Sequence, residues 1–381
     1  MRLLHTGDWH LGRTLFGTDL IADQRAVLGE FVTLAGSTRP DAILIAGDVY
    51  DRAVPHPDAV ALLGDTLSRL VIELRIPVVV VAGNHDNPVR LGFASELLAA
   101  TGLLIAGPPA AEPLSLQVKA ATGQWRIWAL PYAEPVQVAS LAGDPSLRGH
   151  EAAMGYMLDR IRERFRPGER NILVGHAWVT GGEASESERP LSVGGTGEVP
   201  ASLFAGFDYV ALGHLHRPQS LAGGAIRYAG SLLPYSLSEV GHAKSVTLAD
   251  LAADAPLLTE RTLPGPRGFR LVTGPFADLL RCEPSDDYLW VTYTDPAPQH
   301  AAAERLRGIW PNLLQVTRAT EEGIPAPGSS QASGAAEVHT KGLAGLFRDF
   351  LGQTVGEPIT ESQGAALDSL VDEFSRLGRE A

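Results

Sequence analysis

Ala42-Ile43-Leu44-Ile45-Ala46-Gly47-Asp48 is a run of five apolar residues that ends in a glycine and then a carboxylate. A short, β-branched run bounded by a turn residue reads as a strand buried on both faces. The glycine allows the chain to turn sharply as it leaves the strand. The same order recurs through the first 216 positions. Leu3-Leu4 precedes Asp8-Trp9-His10, and residues 78–82 precede Gly83-Asn84-His85-Asp86. Residues 172–174 precede Gly175-His176, and residues 209–212 precede Gly213-His214-Leu215-His216. Residues 127–130 and 245–248 add two further strand patterns, while 19–34, 58–74 and 151–165 show helical spacing. Strands alternating with helices predict an α/β sheet protein. If the central strands run parallel, all five clusters leave the sheet at one edge, where α/β proteins place their sites.

The chemistry of the clusters is that of metal ligands. Taken singly, an Asp-x-His or a Gly-Asp pair is a weak signal, and a lone histidine is more often a satisfied structural residue. Together they supply carboxylates, an amide and several imidazoles at one shared address. The Asp-x-His and His-x-His spacings suit extended backbone, where residues i and i+2 point the same way. Oxygen and imidazole donors without thiolate favour Mn²⁺, Fe²⁺ or Zn²⁺. His5 and His242 are left as unassigned polar residues, and Trp9 is expected to pack beneath the ligands. Arg13, Arg90 and Arg217 lie near the clusters, where substrate phosphate and solvent are equally good partners.

At 381 residues the chain can hold one large domain and one or two small ones. Its 45% hydrophobic and 20% charged residues are those of a globular chain, not a disordered one. No apolar stretch approaches the roughly 20 residues that span a bilayer. Residues 1–8 enter a motif at once, so no signal peptide is expected. The single Cys282 excludes an internal disulfide and fits a reducing compartment, so a cytoplasmic location is expected. A net charge of −13 argues against a broad basic surface for nucleic acid. Two divalent cations held by Asp8 and Asp48 would still leave the site positive and receptive to phosphate.

Pro264-Gly265-Pro266 marks a boundary between residues 1–264 and a small α/β unit at 265–320. That unit shows a strand pattern at 288–294, a helix at 299–308 and a strand at 313–317. Residues 321–338 are rich in Gly, Pro, Ser and Ala and read as a flexible linker. Residues 339–381 hold two amphipathic helices. Leu343, Leu346, Phe347, Phe350 and Leu351 share one face, and Leu367, Leu370, Val371 and Phe374 another. Two such helices are too small for a core of their own, so they pack on this protein or on a partner.

The five clusters together resemble the calcineurin-like metallophosphoesterase superfamily. His5-Thr6-Gly7-Asp8-Trp9-His10-Leu11-Gly12, Gly47-Asp48-Val49-Tyr50-Asp51 and Ala211-Leu212-Gly213-His214-Leu215-His216 are similar to the SbcD nuclease family within it. Ser192-Val193-Gly194-Gly195-Thr196 and Gly230-Ser231-Leu232-Leu233-Pro234 add to that likeness. The resemblance implies two β-sheets flanked by helices, a small α/β capping domain and a C-terminal helical tail. It implies one metal held by Asp8, His10, Asp48 and His216, and a second by Asp48, Asn84, His176 and His214. Mn²⁺ is the expected ion. His85 is left for chemistry at the leaving oxygen or the transition state, with Asp86 able to orient its ring. Asp51 stands where archaeal relatives carry a histidine, as it does in SbcD-like sequences. The implied activity is exonuclease and endonuclease action on DNA ends and hairpins, in a dimer, with the tail gripping the ATPase SbcC. Helices from residues 58–74 and 91–98, apolar enough to be core, would form the dimer contact. The alternatives are a small-molecule phosphodiesterase or phosphatase, and a non-catalytic scaffold, the latter expecting broken ligand positions.

Overall fold

All five residues of the Ala42–Ala46 strand are buried. Ile43 and Ile45 join a core with Val27 and Phe31 of the helix Ile21–Thr38, and with Leu62 and Leu63 of Pro57–Ser68. Leu44 and the two alanines face the other way, onto Val79, Ile127, Val174 and Tyr209. A strand covered on both sides has no solvent face, so its apolar run is unbroken rather than alternating. The computed structural model describes residues 1–189, 191, 197–252 and 255–319. The chain divides into two units, Met1–Arg318 and Ala319–Ala381. The expected linker, both tail helices and the segment 192–196 lie outside the described residues.

Two six-stranded sheets form the large domain. In the first, Arg2–Thr6, Ala42–Ala46, Val78–Val81 and Leu103–Ala106 run parallel, and Ser245–Asp250 and Leu257–Thr262 extend it antiparallel. In the second, Gly123–Leu130, Glu169–His176, Tyr209–Gly213 and Ile226–Tyr228 run parallel between two antiparallel edge strands. The helix Gly149–Arg162 covers the outer face of the second sheet with Met154, Met157, Leu158 and Ile161. Strand spacing alone places the clusters at one sheet edge, and the resemblance implies two sheets. The structure has the two sheets and divides the clusters between them, three after strands of the first and two after strands of the second. His5 is fully buried, with the Tyr209 hydroxyl at 3.0 Å from Nδ1 and the Leu212 carbonyl at 3.2 Å from Nε2. Burial, with the Arg227 charge behind it, holds its pKa down to about 3, so this imidazole is neutral and structural.

Residues 269–318 form a small parallel sheet of Phe269–Gly274, Tyr288–Tyr293 and Leu313–Arg318. The first of these strands carries weak alternation and was not expected from sequence. Phe276, Leu289, Val291, Leu306 and Trp310 make its own core. Tyr288, Trp290 and Leu314 point away from that core and join the core of the large domain. Asp23 anchors the junction, accepting from the Tyr288 hydroxyl at 2.7 Å and from Arg267 at 2.8 Å.

One helical expectation is overturned. Residues 91–98 are not a core helix. They fall on two short helices, Pro88–Leu91 and Ser95–Ala99, and Phe93 and Leu97 are 81% and 78% exposed. Asn87 before Pro88 and a left-handed Ala94 break the segment, so its apolar residues cannot share one inward face.

Candidate metal centre

The five clusters meet where the C-terminal ends of the two sheets adjoin. The Asp8 carboxylate receives the His214 N–H at 2.8 Å, and the Ala46 carbonyl accepts from His176 Nδ1 at 2.9 Å. These bonds tie a loop of one sheet to a loop of the other. Asp8, His10, Asp48 and His214 all have positive φ, at 51°, 45°, 47° and 105°. Non-glycine residues rarely adopt such values, and their concentration here means that side-chain aim overrides local backbone preference. Glycine at 47 meets the turning requirement read from sequence, with φ of 88°. At Gly83 the reason is space instead. A Cβ there would fall 2.1 Å from Asp48 Oδ1, displacing the carboxylate at the middle of the site.

Asp8, His10 and His216 bring ligand atoms within 4.8 Å of one another, and so do Asp48, His176 and His214. His10 Nε2 and His216 Nε2 are 3.0 Å apart. Asn84 Oδ1 lies 2.9 Å from His176 Nε2 and 3.2 Å from His214 Nδ1. Asp48 Oδ2 sits between the groups, 3.7 Å from His10 Nε2 and 3.5 Å from His176 Nε2. All seven residues expected to hold metal are therefore brought to one site, and the carboxylates and imidazoles among them are buried. The donor set fits divalent cations. Asp8 Oδ2 is buried without a hydrogen-bond partner, a costly state for a carboxylate oxygen unless a cation completes it. Burial, and then the Asp48 charge, pushes the Asp8 carboxyl well above its usual range. Burial acts upward on Asp48 too, but His176, His85 and the other donors around it outweigh that and lower it. His10 and His214 are held well below the usual imidazole value, chiefly by burial. Neutral imidazoles with free lone pairs are the form that binds metal.

His85 is buried beside this group, with Nε2 4.0 Å from Asp48 Oδ2. Its Nδ1 lies 2.8 Å from the Asp51 carbonyl, which fixes that nitrogen as the protonated one. The expectation that Asp86 orients the ring fails. The Asp86 carboxylate turns back under the loops and accepts the backbone N–H groups of Val49, Tyr50 and Gly83 at 2.9–3.1 Å. It holds two cluster loops together and does not reach the imidazole. The Asp51 side chain binds Arg13 at 2.9 Å and lies 3.9 Å from His10 Nδ1. Arg217 pairs with Glu183, while the Arg90 N–H caps onto Asn87. Trp9 packs against Phe31 with no exposure, as expected.

Sequence reasoning missed the residues that hold these loops from behind. Gln24 donates to the carbonyls of Trp9 and His10 at 3.1 and 2.8 Å. Glu188, Ser187, Glu239 and Lys244 surround His216. None belongs to a spaced motif. The one available signal was the Gly230-Ser231 segment, whose serine binds Lys244.

Residues 1–218 match the family described as calcineurin-like phosphoesterase. The chain belongs to that family, and it is a metal-dependent hydrolase. It is 33% identical over 323 residues to the SbcD subunit of the SbcCD nuclease of Staphylococcus epidermidis, covering 83% of this chain and 85% of the relative. The corresponding SbcCD nuclease component of Bacillus subtilis is 42% identical over 258 residues, 66% of either chain. Within the phosphoesterases, the chain is thus a member of the SbcD nuclease family. Residues 266–354 match a family described as type 5 capsule protein repressor C-terminal domain. A dimetal phosphatase from Danio rerio aligns with 70% of this chain and 97% of its own at a TM-score of 0.46 and 15% identity.

Proposed function

We propose that the centre holds two Mn²⁺ ions and hydrolyses DNA phosphodiesters, acting as exonuclease and endonuclease on ends and hairpins. Asp8, His10, Asp48 and His216 would hold one ion, and Asp48, Asn84, His176 and His214 the other. The observation that carries this reading is Asp48, a buried carboxylate within 3.7 Å of imidazoles from both sheets. When bound, the ions would supply Lewis acidity toward the phosphoryl oxygens and an acidified water. The chain's own contribution is orientation. Because its Nδ1–H is anchored on the Asp51 carbonyl, His85 turns Nε2 toward Asp48, and only as the imidazolium, with both nitrogens protonated, would it give a proton to the leaving oxygen. The test is cleavage of linear, hairpin and circular DNA with Mn²⁺, with and without SbcC. Hydrolysis confined to small phosphodiesters, even with the partner present, would reassign the chain as a small-molecule phosphodiesterase. No hydrolysis of any phosphoester would leave a scaffold.

The names of the curated relatives support a complex with SbcC, and the family match over 266–354 covers part of the expected tail. We assign residues 1–264 to the nuclease domain, 265–320 to a capping domain, 321–338 to a linker and 339–381 to SbcC binding. Deleting 341–381 is expected to abolish SbcC capture and preserve basal Mn²⁺-dependent cleavage of a small phosphodiester. Capture retained after the deletion overturns the tail's role. Among the described residues no helix is long and apolar enough to cross a membrane. The exposed Val89, Phe93 and Leu97 support a homodimer through this face. Phe93→Ser is expected to shift the sedimentation coefficient to that of a monomer, and an unchanged dimer places the contact elsewhere.

A further inference from the structure

Behind His216, on the side away from the other ligands, lies a charged pair with almost no contact with solvent. Glu239 is fully buried and Lys244 is 9% exposed. The Lys244 ammonium donates to Glu239, to Ser231 Oγ at 2.8 Å and to the His216 carbonyl at 2.9 Å. The Glu239 carboxylate accepts from Ser236 Oγ at 2.9 Å and from Ser187 Oγ, and lies 3.4 Å from His216 Nδ1. Ser187 Oγ is 2.7 Å from that same Nδ1. Glu188 accepts the His216 N–H at 2.8 Å. One residue is thus held at its amide, its carbonyl and its ring.

We infer that Glu239, acting through Ser187 and held in place by Lys244, is a positioning residue that fixes the tautomer of His216 and strengthens Nε2 as a metal ligand. The inference rests on the two-ion reading above. Ser187 has one hydroxyl proton, and Glu239 takes it. The His216 Nδ1 must then donate to Ser187, which leaves the lone pair on Nε2, the atom 3.0 Å from His10 Nε2. A negative charge behind the donor nitrogen raises its basicity toward a cation. The alternative, that the pair merely stabilises the fold, is weak on energetic grounds. Removing a lysine and a glutamate from water costs several kcal/mol each, and apolar side chains of similar size often serve stability as well. Nor are the other ligand rings held this way. His176 Nδ1 meets the neutral Ala46 carbonyl, and His214 Nε2 and His10 Nδ1 have no hydrogen-bond partner. His10 Nδ1 lies 3.9 Å from the Asp51 carboxylate and His176 Nδ1 4.0 Å from that of Asp8, both beyond hydrogen-bond reach, so the carboxylate relayed through a hydroxyl is particular to His216 among these rings.

The test titrates Mn²⁺ alone into the full-length chain and follows the free ion by electron paramagnetic resonance. Wild type is expected to take up two ions. In Glu239→Gln one ion should bind about 10- to 100-fold more weakly, with the other little changed. Ser187→Ala leaves the Lys–Glu pair intact and should weaken the same ion by a smaller factor. The double variant Glu239→Gln/Lys244→Met removes both charges. It should match wild type in metal-free unfolding yet keep the weakened ion, which a purely structural role would restore. Wild-type affinity for both ions in these variants overturns the inference while leaving the two-ion reading intact. A wild type that binds fewer than two ions overturns both. Should Glu239→Gln fail to fold, the double variant and Ser187→Ala decide the question alone.

Discussion

Asp48→Ala is expected to lose both metal sites in one step and reduce phosphodiester hydrolysis by more than about 10⁴-fold. The reason is position. Asp48 Oδ2 lies 3.7 Å from His10 on one side and 3.5 Å from His176 on the other, so this oxygen serves both ligand groups. Without it each group keeps its imidazoles, but the second retains no carboxylate to offset the charge of a divalent ion. Metal-free stability should fall much less. The lost partner is chiefly the His85 N–H, bonded to Asp48 Oδ1 at 2.9 Å, and leaving it unsatisfied costs about 1–3 kcal/mol. Metal stoichiometry by electron paramagnetic resonance and turnover on a small phosphodiester read the two effects apart. An alanine variant that still binds two ions would remove Asp48 from the centre.

His85→Ala should separate chemistry from binding. His85 shares a third possible ligand group with His10 and Asp51, but it belongs to neither of the two groups assigned above, and its backbone N–H still supports Asp48 after the substitution. Loss of a positioned proton donor reduces turnover by about 10²- to 10⁴-fold. Mn²⁺ stoichiometry and KM should stay near wild type, placing the loss in kcat. Turnover equal to wild type would refute the role assigned to His85. Loss of an ion would make it a ligand instead.

Much of this site was legible in the chain because a strand exit constrains local sequence. An apolar run, a small residue and then a donor is a short-range pattern, and it located Asp8, His10, Asp48, Asn84, His176, His214 and His216 together. The supports were not legible. Glu239 and Lys244 lie 23 and 28 residues beyond His216 and meet it only through folding. Asp86 shows the opposite failure. Adjacency to His85 suggested a contact, yet three backbone N–H groups claim its carboxylate first. Residues 91–98 were misread for a related reason, since apolar composition without caps and phase does not define a buried face.

By itself, the sequence determined the α/β class, the double-sided burial of strands such as Ala42–Ala46 and the identity of the donors. Hydrophobic period and turn chemistry are local, and a single chain displays them directly. Only the tertiary structure decided which sheet each donor leaves, how far Asp48 stands from the imidazoles on either side and that a buried Lys–Glu pair holds His216. Those relations depend on how two sheets meet, and nothing in the spacing of residues along the chain records that.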